Sequence, residues 1–419
     1  MKFDTIIIGG GLAGLTCGIR LQRAGQKCAI ISAGQSAMHF SSGTLDLLNR
    51  LPDGTEVQDP IDSINALGPE HPYSLIGAAD VERYALEVPD FLLSCGIRSK
   101  GNCRRNSWRI TPTGERRNTW LTLNAFSGFE GKDTPIGKKA LIVNILGYLD
   151  FNTKFLADSF EKQGTTCRIE SVKLEELERL RKNPSEMRAT NIARVMDNLE
   201  VCKKMVDQIN WMIKDEDIVV LPAVFGLKDS GVTFTISSAI NAPVMYIPTM
   251  PPSVPGIRNQ MSLKAEFEKA GGRFFLGDTV TDAEYDENGN VKSLGTSNFG
   301  DIRLHADSFV LASGSFFSKG LIATPEKVYE PIFGADVIYE DSRDGWFDRN
   351  FWNRQNYVSF GVVTDSSLNI SVNGQKVHNL YAAGSVIGGY NPLYEGCGGG
   401  VAMITAMKAA DMILKEKEA

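Results

Sequence analysis

The chain has 419 residues, 42% of them hydrophobic and 22% charged, which is enough for two or three packed domains and too apolar for a disordered protein. Its 44 Lys and Arg against 50 Asp and Glu leave a net charge of -6, so no basic excess points to nucleic acid as a partner. The 7 scattered cysteines, with no C-x-x-C pair, fit reduced thiols in a cytosol and lack iron–sulfur or zinc spacing, so no metal site is expected.

Residues 3–8 (FDTIII) are β-branched and apolar, the pattern of a parallel strand covered on both faces. Asp4 and the glycines that follow argue against a signal peptide. Gly9, Gly11 and Gly14 form G-x-G-x-x-G, Leu12, Leu15 and Ile19 continue at helical spacing, and residues 27–32 read as a second strand. In such a βαβ unit the first glycine allows the turn, the second lets a phosphate approach the backbone, and the third lets helix and strand pack closely. The helix amino terminus then offers free N–H groups to the phosphate. The acidic residue that would hold an adenosine ribose is missing, because Ser32 and Ala33 stand near the end of the second strand. That favours FMN, with FAD as the alternative, since a serine can also donate to a ribose hydroxyl.

Residues 34–48 carry Ser36, Ser41, Ser42 and Thr44 around Gly43 and read either as a wall along a flavin or as a solvated loop. His39 is the one histidine of four in such a segment and is the candidate base, the alternative being a bystander histidine. Residues 139–145 read as a strand, 150–163 as a helix and 218–221 as another strand. Arg188 and Arg194, with Asn191 between them, are candidates for a substrate phosphate, the alternative being a solvated basic stretch. Arg258 follows the stiff segment PPSVPG and is a candidate for contact with flavin or substrate.

A helix is expected over 258–271, a strand over 273–276, a hairpin at Asn288-Gly289, and a strand ending in Ala-Ser-Gly314. A second hairpin at Asn373-Gly374 leads into LYAAG ending at Gly384, and Gly398 and Gly399 open a last helix over 401–416. This order resembles flavoproteins with a discontinuous nucleotide domain, in which the last helix aims its amino terminus at the flavin pyrimidine ring. Ser385 stands where that class usually has an acidic residue. The expected fold is α/β: a Rossmann-like flavin domain from 1–48, 254–324 and 370–419, with an inserted mixed α/β domain from 49–253 and 325–369. Flavin contacts are expected from Gly9, Gly11, Gly14, Ser32, Ser41, Ser42, Gly43, Gly314, Gly384, Ser385, Gly398 and Gly399.

The segments FDTIIIGGGLAGL, HFSSGTLDLL, RATNIARVMDN, PTMPPSVPGIR, LASGSFFSKGL and EGCGGGVAM together resemble the B-subunit family of anaerobic glycerol-3-phosphate dehydrogenases, over essentially the whole chain. The resemblance implies a quinone-dependent respiratory enzyme that oxidises sn-glycerol 3-phosphate to dihydroxyacetone phosphate, with fumarate or nitrate as terminal acceptor. It implies FMN here, FAD in a catalytic A subunit, and an iron–sulfur C subunit that anchors the complex to the cytoplasmic face of the inner membrane. With no convincing base, a non-catalytic electron-relay and assembly subunit is the alternative. A free-standing flavin oxidase or an NAD-dependent reductase is a third reading, and the lack of a second G-x-G-x-x-G counts against the reductase.

Overall fold

The computed structural model describes residues 1–418. Strand Lys2–Ile8, its inner residues buried, lies in the middle of an eight-stranded sheet. It runs parallel to Cys28–Ser32 on one side and to Leu304–Leu311 on the other. Arg273–Leu276 continues the parallel run beyond Cys28–Ser32, and Gln375–Ala382 lies beside the end of Leu304–Leu311. In chain order the five parallel strands therefore run third, second, first, fourth, fifth. The order reverses between Lys2–Ile8 and Leu304–Leu311, the switch point at which such sheets leave a crevice beyond their carboxyl ends.

Two hairpins complete this sheet. Val280–Tyr285 and Val291–Thr296 turn through Gly289 at φ 78°, and Asn369–Val372 returns as Gln375–Ala382 through Asn373 and Gly374, both at positive φ. Helix Leu12–Arg23 buries Leu15, Ile19 and Leu21 and packs between Val254–Lys269 and the last helix, Gly398–Glu418. The start of Val254–Lys269 lies four residues ahead of the expected position, because Ser253 caps it by accepting from Gly256 N.

The inserted stretch holds its own parallel sheet of four strands, in the spatial order Val244–Ile247, Ile218–Pro222, Lys139–Ile145, Thr166–Val172. Two parts of the chain assigned to the insertion from sequence pack against the large sheet and its helices. Helix Ala78–Ser94 packs on the last helix, where Arg20 bridges Asp411 at 2.6 Å and Glu87 at 2.8 Å and Lys408 reaches Asp80 at 3.0 Å. Its buried face (Val81, Tyr84, Ala85, Val88) covers an apolar side of the large sheet's helical layer. Residues 336 and 359–363 hydrogen-bond to 371 and 386–389, at the edge of the large sheet. No helix among the described residues is long and apolar enough to cross a membrane.

Candidate active site

A cavity of about 1070 Å³ runs along the carboxyl ends of all five parallel strands. Its wall passes from Asp278–Thr281 to Ser32–Ser36, Gly9–Ala13, Ala312–Gly314 and Ala383–Ser385, and closes against Gly398 and Gly399 of the last helix. Neighbouring strands lie about 4.8 Å apart, so the five ends extend over roughly 19 Å.

The centre of this wall is backbone. A Cβ on Gly9, which sits at φ 118°, would overlap the carbonyl oxygen of Ala312, and one on Gly14 would overlap that of Gly9. Those two glycines let strand, helix and neighbouring strand close up. Gly11 differs: a Cβ there would meet only Ser36, at 3.9 Å, so its missing side chain leaves room in the cavity itself. Gly11 is also the N-cap of Leu12–Arg23 and offers no side-chain cap, which leaves that helix's first N–H groups free for an anion. The last helix likewise has no acidic residue in its first turn.

The loop after the second strand is a cavity wall, with Ser41, Ser42, Gly43, Thr44 and Asp46 all lining it. It is shaped internally, since Ser41 Oγ accepts from Gly43 N at 3.1 Å and Ser42 bonds Thr44 at 2.8 Å. Helix Val254–Lys269 supports it from behind: Asn259 donates to Gly43 O at 3.3 Å and Gln260 to Gly10 O at 3.1 Å. Neither side chain was anticipated from sequence.

Of the cofactor residues expected from sequence, all but Gly14 line the cavity, and Gly14 lies behind it at the helix–strand contact. Ser32 is buried at the wall, but its hydroxyl donates to Gly34 O at 3.0 Å, so its proton is turned into the loop. The carboxylate at that end is Asp278, in the turn just beyond the adjacent strand Arg273–Leu276. Its Oδ1 accepts from Thr279 N, Ser297 Oγ and Asn298 N, while Oδ2 is buried without a partner among the described residues.

The expected catalytic and phosphate residues lie off the cavity. His39 is half-buried beside Gln260, outside the lining, and burial holds its imidazole below the ordinary histidine pKa. Arg258 points the other way around its helix and donates to Phe225 O at 3.2 Å and Gly226 O at 2.5 Å, a structural tie to the inserted sheet. Desolvation there pulls its pKa down to about 10, so it stays charged at neutral pH. Arg188 is exposed and bridges Asp150 at 3.4 Å, and exposed Arg194 donates to Asn191 at 2.9 Å. Their helix, Ala189–Met196, turns its apolar face inward and leaves these cations on the solvent side.

Two arginines that drew no attention in the sequence do line the cavity. Ser107–Ile110 and Arg116–Thr119 form a hairpin in which Arg109 lies directly opposite Arg117. Both approach Asp46 Oδ2, Arg117 Nε at 3.2 Å and Arg109 at 4.0 Å. The backbone carbonyl of Asp46 in turn accepts from Gly400 N at 2.9 Å, which fixes this cluster at the start of the last helix. A pair of cations opposite each other leaves no periodic signature in sequence. His71, Glu395 and Cys397 also gather, fully buried, behind that helix start. There His71 Nδ1 accepts from Tyr73 N at 3.0 Å, and Nε2 faces Glu395 at 3.3 Å.

A strand order that reverses over a glycine-walled cavity, with two helix amino termini aimed into it, defines a flavin-binding protein of the Rossmann-like class. Residues 4–401 match the family described as FAD binding domain. The chain is 41% identical to the B subunit of the anaerobic glycerol-3-phosphate dehydrogenase of Pectobacterium atrosepticum, with 99% of each chain covered, and 39% identical to that of Glaesserella parasuis, with 99% of this chain and 100% of that one covered. It belongs to the family of anaerobic glycerol-3-phosphate dehydrogenase B subunits. Among solved structures it is similar to the 3-ketosteroid delta1-dehydrogenase of Sterolibacterium denitrificans, at 11% identity and a TM-score of 0.45, with 99% of this chain and 100% of that one covered.

Proposed function

We propose that this chain is a flavin-bearing subunit of a quinone-reducing complex that oxidises sn-glycerol 3-phosphate to dihydroxyacetone phosphate. The observation that carries this reading is the cavity crossing five strand ends, in a chain of this family. A bound flavin would accept a hydride, that is two electrons and one proton, from the alcohol carbon, and the hydroxyl proton would pass to water. The chain's own contribution is to hold it: Gly11 and the free N–H groups of Leu12–Arg23 take its phosphate, the 41–46 wall and Ser385 flank it, and the last helix directs a positive dipole end at it. FMN suits the end at Ser32, which lacks a carboxylate of its own. FAD is the second reading, supported by a cavity that continues past Ser32 to Asp278. The mass of the ligand released by acid from the purified protein decides between them.

The partners in this reading are an FAD-containing A subunit and an iron–sulfur C subunit that anchors the assembly to the inner face of the inner membrane. Exposed apolar side chains at the cavity mouth, Phe40, Phe317 and Leu393, support coverage by a neighbouring subunit. The ionisable residues lining the cavity are Asp46, Asp278, Lys319, Arg109 and Arg117, and Asp46 is already paired with Arg117 while Asp278 is bonded into its own turn; electron relay is the second role for the subunit. In the assembled complex, glycerol 3-phosphate should bleach this subunit's flavin anaerobically. A mixture in which only the other subunits' flavin is reduced, until this chain is added with quinone, would make it a relay.

A further inference from the structure

We propose that Arg109 and Arg117 form the binding site for the phosphate group of a phosphorylated alcohol, an inference that rests on the oxidation proposed above. The two side chains come from directly opposite positions of one hairpin and line the same cavity wall. Like charges at such positions repel, so the pair needs a compensating anion. Asp46 provides one carboxylate, and it lies 3.2 Å from Arg117 but 4.0 Å from Arg109.

Arg109 is the more informative of the two. Its side chain is only 11% exposed, and it makes no hydrogen bond among the described residues. Its Nε is buried without a partner, and desolvation lowers its pKa. A guanidinium withdrawn from water with its donors unused is costly to the fold unless something else accepts from it. Two guanidiniums against one carboxylate leave one positive charge, and the amino terminus of the last helix adds to it from beside Asp46. A phosphate monoester, with three oxygens and up to two negative charges, matches this donor set. The flavin's own phosphate has a separate place at Gly11, where the other helix begins.

The test uses the flavin-loaded protein in its complex, with inorganic phosphate as the probe in calorimetry and glycerol 3-phosphate in turnover. Arg109→Gln should weaken phosphate binding roughly 10- to 100-fold and raise the KM for glycerol 3-phosphate by a similar factor, with flavin content unchanged. Arg109→Lys, which keeps the charge in a compact form, should fold like the parent and fall between the two. Arg117→Gln should have a smaller effect, because this side chain is 42% exposed and already bonded to Asp46. Unchanged phosphate affinity in both Arg109 variants would overturn the assignment, and so would loss of flavin from Arg109→Lys, which would give the guanidinium to the cofactor. If phosphate binding depends on Arg109 but glycerol 3-phosphate never reduces the flavin, the proposed oxidation fails and the anion site stands.

Discussion

Two parallel sheets in this molecule reach the same topological point with opposite results. The large sheet reverses its order beside Lys2–Ile8, and the four-stranded sheet reverses beside Lys139–Ile145, with Thr166–Val172 on one side and Ile218–Pro222 on the other. Beyond the first, the strands end in Gly9, Ser32, Ser313 and Ala383, and a cavity of about 1070 Å³ remains. Beyond the second, the chain continues with Leu146-Gly147-Tyr148 and Ala223-Val224-Phe225. Tyr148 and Phe225 are both buried, and Arg258 closes over the carbonyls of Phe225 and Gly226. Strand order brings a crevice within reach, and the omission of side chains decides whether a ligand can occupy it.

The sharpest way to break this contrast is to put side chains where the large sheet has none. Gly14→Val should be the most damaging change, costing about 3 kcal/mol or more, because the new atoms overlap the backbone at Gly9; urea denaturation or failure to recover soluble protein reads it. Gly11→Val should act on the ligand alone. The new side chain points into open space, so the fold should survive while flavin affinity drops by roughly 100-fold, about 2.7 kcal/mol. Flavin retained at full occupancy in Gly11→Val would move the cofactor away from this turn.

The closed sheet gives a converse test. Arg258→Leu removes a buried donor from two carbonyls and should cost about 2–3 kcal/mol in urea denaturation with no change in flavin affinity. Arg188→Ala should alter stability by no more than about 0.5 kcal/mol and leave the KM for glycerol 3-phosphate unmoved, since its ion pair is exposed.

The smallest expected effect is a pH dependence. Burial makes His39 harder to protonate in the folded chain, so the unfolded chain binds more protons as pH falls below the ordinary value of 6.5. This side chain therefore costs stability increasingly as pH falls from 6.5 through its lower folded pKa, keeps that cost at lower pH, and has no such effect above 6.5. His39→Gln should flatten that part of the stability curve without changing the pH profile of turnover. A turnover profile that loses its acid limb in His39→Gln would restore the imidazole as a base.

Local signals are legible in the residues themselves. The glycine spacing from Gly9 to Gly14, both Asn-Gly hairpins and the strands running into Gly314 and Gly384 lie where the residue pattern puts them. Rotation about a helix is harder to read. Arg258 and Asn259 are neighbours in sequence, yet about 100° of helical turn separates them, and it is Asn259 that faces the cavity. Arg109 and Arg117 are invisible for a different reason: short strands of mixed polarity carry no period, and only the hairpin register sets them side by side. The outer position of helix Ala78–Ser94 is equally hidden, because an amphipathic helix does not say which apolar face it will cover.

The bond from Gly400 N to the carbonyl of Asp46 has a consequence for the order in which the protein is made. It joins an early loop to a segment synthesised more than three hundred residues later, as the pairing of Ile8 with Leu311 does within the sheet. Three of the five walls of the cavity, those contributed by residues 278–281, 312–314 and 383–385, emerge from the ribosome long after the G-x-G-x-x-G turn. The nascent amino-terminal half therefore carries the glycine turn with no chamber around it. On the proposed reading, flavin capture waits for the last helix, and flavin fluorescence quenching during synthesis should begin only once Gly398 has emerged.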